Sequence, residues 1–198
     1  MMEMLYALAG FTFVTSVTPG PNNILLLGSG MRFGFWPTLP HILGIQLGIL
    51  LQLLLCSMGL GLMLNTFPAL YLGLKILGTA YLLYLAWQLR SNLVEVRDGS
   101  RAKPFTFWQA MLFQFINPKA WIMTITASSL FLPQLESRFA SIALLCLIFH
   151  TIGAPSSGSW AVLGSTIKRF LDNPFWQRCF SWSMVAITGY TALALWIW

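Results

Sequence analysis

Two segments combine helix-breaking and polar residues in the middle of apolar stretches. They are Thr18-Pro19-Gly20-Pro21-Asn22-Asn23 and Gln114-Phe115-Ile116-Asn117-Pro118-Lys119. Proline lacks a backbone donor and glycine relaxes the chain, so both segments predict a helix break with freed backbone groups. Such groups, with nearby amides and an ammonium, could bind a polar substrate that carries an anionic group, such as a carboxylate. The candidate binding residues are therefore Pro19, Gly20, Pro21, Asn22, Asn23, Gln114, Asn117, Pro118 and Lys119.

Further ionisable side chains lie inside apolar stretches, where a charge is costly and indicates function. Lys75 is added to the substrate-binding candidates, with snorkelling to the surface as the alternative. His150 is the candidate for proton coupling, because histidine titrates near neutrality and no Asp or Glu lies in an apolar stretch. The alternative for His150 is hydrogen-bonded packing.

Other kinds of site are not predicted. Cys56, Cys146 and Cys179 are far apart and lack the spacing of metal ligands. No nucleophile with a base, paired carboxylates or phosphate-binding loop is visible, so we expect no catalytic residue, metal or cofactor.

The composition indicates which elements carry these residues. Of 198 residues, 57% are hydrophobic and only 8% are charged, against about 25% charged in soluble domains. Six apolar stretches are long enough to cross a bilayer, at about residues 4–27, 39–64, 67–89, 108–132, 139–163 and 176–198. The sequence predicts an all-α polytopic membrane protein, with one transmembrane domain over residues 1–198.

The two predicted breaks occupy the first helix of each three-helix half. The halves are about residues 1–90 and 107–198, joined by a cytoplasmic loop at about 90–106. Because three is odd, the second half is inverted relative to the first, and matched breaks in inverted repeats indicate a central binding site. The N-termini of the half-helices would present partial positive charge to a carboxylate.

The basic residues predict the orientation of the chain. Eight fall in the loops after the first, third and fifth stretches, and only Arg138 falls on the other side. The eight are Arg32, Arg90, Arg97, Arg101, Lys103, Lys168, Arg169 and Arg178. Both termini are therefore predicted to be periplasmic. The net charge of +6 is therefore explained by the basic residues that set the orientation, and no nucleic-acid partner is expected.

Three motifs resemble the LysE/RhtB family of amino-acid exporters. They are Thr18-Pro19-Gly20-Pro21-Asn22, the run from Lys75-Ile76-Leu77-Gly78 to Leu85, and Phe113-Gln114-Phe115-Ile116-Asn117-Pro118-Lys119. Trp108 and Phe131-Leu132-Pro133-Gln134 are most similar to the cysteine/O-acetylserine exporters of that family. The resemblance implies a multi-pass protein of the bacterial inner membrane that exports an amino acid and is driven by the proton motive force.

The substrate follows partly from charge. A cationic substrate would favour a buried carboxylate partner, and the apolar stretches hold none, so we expect a small neutral amino acid of the cysteine/O-acetylserine or homoserine/threonine type. The alternatives are export of a basic amino acid or a metal ion, or a thiol-based membrane electron carrier. The motif Gly44-x-x-x-Gly48 predicts close helix packing, either within the chain or across a homodimer.

Overall fold

A computed structural model describes residues 1–60, 68–92, 103–167 and 173–197, and most of them are helical. The described ranges contain no β-strand, in agreement with the predicted all-α class. Several residues that the predictions above involve lie outside the described ranges: Leu64 and Phe67 at predicted span ends, the basic residues Arg97, Arg101, Lys168 and Arg169, and Trp198.

The helices follow the predicted apolar stretches in order. Their bounds are α1 (Met2–Val17), α2 (Pro21–Phe33), α3 (Phe35–Leu55), α4 (Pro68–Asn92), α5 (Phe107–Phe113), α6 (Pro118–Leu130), α7 (Arg138–Ile167) and α8 (Pro174–Ile197). A π-helical turn, Cys56–Leu60, continues α3, and a 3-10 turn, Gln114–Ile116, follows α5. Three basic residues that the sequence assigns to loops lie inside helices instead: Arg32 in α2, Arg90 in α4 and Arg178 in α8.

Both predicted helix breaks are present. A residue before proline is pushed out of the helical region by the proline ring. Accordingly Thr18 (φ −62°, ψ 141°), Gly20 (φ −171°, ψ 177°) and Asn117 (φ −87°, ψ 105°) are all extended. Pro21 and Pro118 then begin α2 and α6, where a missing backbone donor costs nothing. Each break is therefore followed by a fresh helix N-terminus.

Each pair of helices that flanks a break packs on a long helix from the other half of the sequence. Helices α1 and α2 both pack on α7, whereas α5 and α6 both pack on α3. Helix α4 packs on α8, and α3 also contacts α7. Each broken helix of one half thus packs against the unbroken middle helix of the other half, which brings the two breaks towards each other at the centre.

Glycines permit the closest of these helix approaches. A Cβ at Gly30 of α2 would overlap the carbonyl of Ala161 in α7, and one at Gly164 would overlap the carbonyl of Leu27. Gly44 and Gly48 of α3 lie in the same way against Phe107 and Gln114. The Gly44-x-x-x-Gly48 motif therefore serves packing within the chain.

Within the described residues, two helices are long and apolar enough to cross a membrane by length and composition. They are Phe35–Gly59, with 25 residues, and Arg138–Ile167, with 30 residues. The halves of the broken helices are individually shorter: α1, for example, has 16 residues and α6 has 13.

Candidate functional site

The first break is held in shape by the side chain of Asn23. Its Nδ2 donates to the carbonyl oxygens of Ser16 and Thr18, each at 2.8 Å. These carbonyls lie at the end of α1, where the helix no longer supplies backbone donors. Asn23 therefore compensates part of the cost of unwinding the chain inside an apolar bundle.

The second break is stabilised by local bonds of the same kind. The side-chain oxygen of Asn117 accepts from the backbone N–H of Lys119 at 3.2 Å and so caps the N-terminus of α6. The indole Nε1 of Trp121 donates to the carbonyl oxygen of Phe115 at 2.9 Å. These bonds fix the direction in which α6 leaves the break.

An amide pair connects the two breaks. Nδ2 of Asn22 donates to Oε1 of Gln114 at 2.8 Å, and Nε2 of Gln114 donates back to Oδ1 of Asn22 at 3.0 Å. Nε2 of Gln114 also donates to the carbonyl of Ala110 at 2.9 Å, and Nε2 of Gln52 donates to the carbonyl of Gln114 at 2.9 Å. Because Gln114 is fully buried, losing any of these partners would leave a polar group without compensation.

Lys119 connects the breaks a second time, through its charge. From the second position of α6, its Nζ donates to the carbonyl oxygen of Thr18 at 2.7 Å, to Oγ1 of Thr18 at 2.9 Å and to the carbonyl oxygen of Pro19 at 3.2 Å. The acceptors belong to the unwound segment between α1 and α2. The ammonium is thus held by uncharged oxygens that the first break makes available.

A small cavity with a volume of about 30 Å³, open at its mouth, lies between the breaks. Six predicted residues line it: Gly20, Pro21, Asn22, Asn23, Asn117 and Lys119. Among the described residues, the lining contains no carboxylate, and Lys119 is its only charged side chain. The N-terminal residues of α2 and α6 both face this space, so two helix dipoles present their positive ends to it.

The other predicted residues lie away from the cavity lining. Pro19 contributes a carbonyl to Lys119, and Gln114 pairs with Asn22 behind the lining. Pro118 packs against Gly78 of α4, where a Cβ would overlap the proline ring. Lys75 is half-buried on α4 and does not line the cavity.

His150 lies on α7 beside the cavity. Its Nδ1 is 2.7 Å from the carbonyl oxygen of Cys146, and its Nε2 is 2.9 Å from the carbonyl oxygen of Gln46. A neutral imidazole has one N–H donor, whereas the imidazolium has two, so only the protonated ring can donate to both carbonyls. Gln46 itself lines the cavity, and its Nε2 donates to Oγ of Ser157 at 3.3 Å.

Sequence reasoning missed several residues of the site. Thr18 belongs to the first breaking motif, but its role as a double acceptor for Lys119 was not anticipated. The unpredicted lining residues are Thr15, Ser16, Ile45, Gln46, Ile49, Ala120, Met123, Phe149, Gly153 and Ser157. For the polar ones, the available signal was a hydroxyl or an amide inside an apolar helix. The apolar ones carry no signal that separates them from the core.

The residues that the alternative functions would require do not gather at this cavity. Cys56 and Cys146 are buried and form no disulfide, and Cys179, also without a disulfide, is exposed on α8. None of the three cysteines lines the cavity. Among the residues that the structure describes, no three His, Cys, Asp or Glu side chains form a group that could hold a metal ion.

Comparison with known proteins places the chain among transport proteins. The LysE type translocator family matches residues 13–190. The cysteine/O-acetylserine efflux protein of Escherichia coli strain K12 is 34% identical over 168 residues, which cover 84% of this chain and 85% of the relative. The proteins of the same name in Shigella sonnei strain Ss046 and Escherichia coli O157:H7 match with the same identity and coverage. No solved structure gives a significant match. The match over most of its length shows that this chain belongs to the LysE type translocator family.

Proposed function

We propose that the protein exports a small neutral amino acid from the bacterial cytoplasm through the cavity between the two helix breaks. The observation that carries the proposal is the charge of that cavity, whose lining, within the described part of the chain, holds one lysine and no carboxylate. A basic amino acid would add a second cation without a counter-ion, which is costly in a bundle of low dielectric. A zwitterion adds no net charge.

The substrate class is also supported by the relatives, which are named as cysteine/O-acetylserine efflux proteins. The carboxylate of the substrate would bind near Lys119 and the N-terminus of α2. The N-cap of α2 is Gly20, which offers no side chain, so the first N–H groups of α2 have neither a helical partner nor a side-chain cap.

The export assay tests this proposal. Cells or vesicles loaded with a panel of labelled amino acids should lose small neutral ones at a rate that depends on the protein, while arginine and lysine should stay inside. A proton uncoupler should abolish net accumulation against a gradient. Accumulation driven by ATP with the proton gradient collapsed would contradict the mechanism, and preferential export of lysine would contradict the substrate class.

Proton coupling is assigned to His150. Protonation lets the ring donate to the carbonyls of Cys146 and Gln46 together, and deprotonation leaves one carbonyl opposite a lone pair. Because Gln46 lines the cavity, the protonation state of His150 acts on the wall of the substrate site. The proton would therefore change the position of α3 relative to α7.

The expected result for His150→Gln is loss of gradient-driven accumulation with retained exchange of substrate across the membrane, because glutamine does not titrate. Both activities can be measured in proteoliposomes, the first with an imposed pH gradient and the second as counterflow without one. His41→Gln is the control, since His41 does not line the cavity and stacks on Phe105. Parental accumulation by His150→Gln would exclude His150 as the coupling residue.

The membrane arrangement is proposed as six spans in two inverted halves, with lipid around the bundle. The packing of each broken helix on a helix of the other half supports this arrangement. So do the exposed tryptophans at helix ends, Trp36, Trp108, Trp176 and Trp196, which is where interfacial aromatic residues lie.

The orientation gives a separate expectation. A reporter domain that is active only in the periplasm should be active when it is fused to either terminus. A cysteine introduced at Lys103 should react with a membrane-impermeant thiol reagent only after the membrane is opened. A cytoplasmic location of either terminus would contradict the proposed topology.

A further inference from the structure

Three uncharged oxygens of the first break, from residues next to those that line the cavity, surround the ammonium of Lys119. The carbonyl oxygens of Thr18 and Pro19 and the hydroxyl of Thr18 lie 2.7 to 3.2 Å from Nζ. A primary ammonium has three N–H donors, and three acceptors at these distances match them. None of the acceptors carries a charge, so the set favours a cation without fixing it as a buried ion pair would.

The first break creates this ammonium site independently of Lys119. Thr18 and Gly20, the residues before Pro19 and Pro21, are extended, so the carbonyls of Thr18 and Pro19 lie in a non-helical segment that faces the ammonium of Lys119. The carbonyl of Thr18 keeps one donor, Nδ2 of Asn23 at 2.8 Å, whichever cation is present. The ammonium of Lys119 can therefore be replaced by another ammonium at low cost.

The path of the Lys119 side chain explains the glycine between the two prolines. Gly20 has φ −171°, an extended conformation that any residue adopts, so the backbone does not require glycine. A Cβ at this position would, however, lie 2.7 Å from Cδ and 3.0 Å from Nζ of Lys119. The missing side chain leaves the space through which the lysine stem reaches the oxygens of the first break.

We propose that the oxygens of Thr18 and Pro19 are the binding site for the α-ammonium of the substrate, and that Lys119 occupies this site as an internal substitute when no substrate is bound. This inference rests on the proposed function and specifies which atoms bind the ammonium group of the substrate. When substrate enters, its ammonium takes the three oxygens and the displaced Lys119 pairs with its carboxylate. Neither the oxygens nor the carboxylate is then left without a partner.

The exchange selects for one chemical class, α-amino acids with a free primary ammonium. A simple amine cannot displace Lys119 efficiently, because it brings no carboxylate to receive the released lysine. An N-acylated amino acid cannot occupy the oxygens, because its nitrogen is neutral and has at most one donor. A quaternary ammonium has charge but no N–H donor.

The inference is tested by emptying the site. The purified protein and its Lys119→Met variant are titrated calorimetrically with methylammonium and with tetramethylammonium. We expect Lys119→Met to bind methylammonium on the order of tenfold more tightly than the parent, because the oxygens have lost their internal donor. Binding of tetramethylammonium should change by much less. The control is Lys103→Met, which removes an exposed lysine outside the cavity and should leave both affinities unchanged.

Two results would overturn the inference: no gain in methylammonium affinity, or an equal gain for tetramethylammonium, which would show that only net charge matters. Lys119→Ala serves as a second emptied variant. If neither variant folds, the test is made on the parent protein by calorimetric binding. The N-acetyl derivative of an exported amino acid must then bind at least about tenfold more weakly than the amino acid itself.

The outcome can be separated from that of the proposed function. Calorimetric binding needs no transport, so a gain in methylammonium affinity in a protein that exports none of the amino-acid panel would refute the proposed function alone. Export of an amino acid without that gain would refute the exchange of ammonium groups alone.

Discussion

Replacing Lys119 by alanine is expected to lower amino-acid export at least about 100-fold, because the substrate carboxylate loses its hydrogen bonds to a charged group, each about 1.5–3 kcal/mol, and two of them amount to about 3 kcal/mol or more. Lys119 donates to Thr18 and Pro19 across the two breaks, and the substrate carboxylate is expected to need it after exchange. The rate is measured as efflux from vesicles that contain equal amounts of inserted protein.

Two comparisons distinguish a specific loss of export by Lys119→Ala from simple misfolding. Lys103→Ala removes the same type of side chain from an exposed position and should export at the parental rate. The Lys119 variants should lose amino-acid export while gaining affinity for methylammonium, a combination that simple misfolding does not produce. Export within about twofold of the parent by correctly inserted Lys119→Ala would show that the cavity is not the transport site, since one charged contact alone exceeds that factor.

Gly20→Ala should reproduce part of this loss without changing any charge. The added Cβ meets the stem of Lys119, which must withdraw from the oxygens of the first break, while the extended backbone accepts alanine. The variant is therefore expected to fold, so that reduced export can be assigned to the position of Lys119.

The second large effect is expected on stability, at the close contact between α2 and α7. Gly30→Ala and Gly164→Ala would each place a Cβ against a backbone carbonyl of the facing helix, that of Ala161 and that of Leu27 respectively. Overpacking costs about 1–3 kcal/mol, and a backbone neighbour cannot move aside as a side-chain tip can. Both variants should lower the thermal unfolding midpoint of the detergent-purified protein and reduce the monodisperse fraction.

The controls for these glycine variants lie in the same two helices. At Gly28 of α2 and Gly158 of α7, an added Cβ would meet no atom of a neighbouring element within 4 Å, so alanine there only restricts the unfolded chain. Because alanine favours helix over glycine by about 0.5–1 kcal/mol, Gly28→Ala and Gly158→Ala should leave stability unchanged or raise it. Equal destabilisation of all four variants would contradict a role for close helix approach.

Proline marked the breaks in the sequence, but proline alone does not produce them. Pro40 and Pro155 also lie inside apolar stretches, yet α3 and α7 continue through them. The breaks at Pro19 and Pro118 differ because their freed groups find partners: Asn23 and Lys119 serve the first, and Asn117 and Trp121 serve the second. A break in an apolar bundle needs such compensation, and only one part of it, the nearby asparagines, is visible in sequence.

Lys75 and Lys119 also look alike in the sequence but have different positions in the structure. Both are lysines inside apolar stretches, and the sequence ranked them only by depth. The structure brings Nζ of Lys119 to an oxygen 101 residues earlier in the chain, whereas Lys75 stays on α4 away from the cavity lining. Spacing along one helix cannot encode a contact that depends on how two halves of the chain pack.

The sequence by itself determined the helical class, the order of the helices and the position of both breaks, because these follow from local properties: apolar length, the ring of proline and the residue before it. It also identified the family through motifs of neighbouring residues. Only the tertiary structure decided what the polar groups do. The pairing of Asn22 with Gln114 spans 92 residues, and the cavity wall combines residues from α1, α2, α3, α6 and α7. Uncharged oxygens become a cation site only where folding brings an ammonium to them, and that proximity is a property of packing between helices.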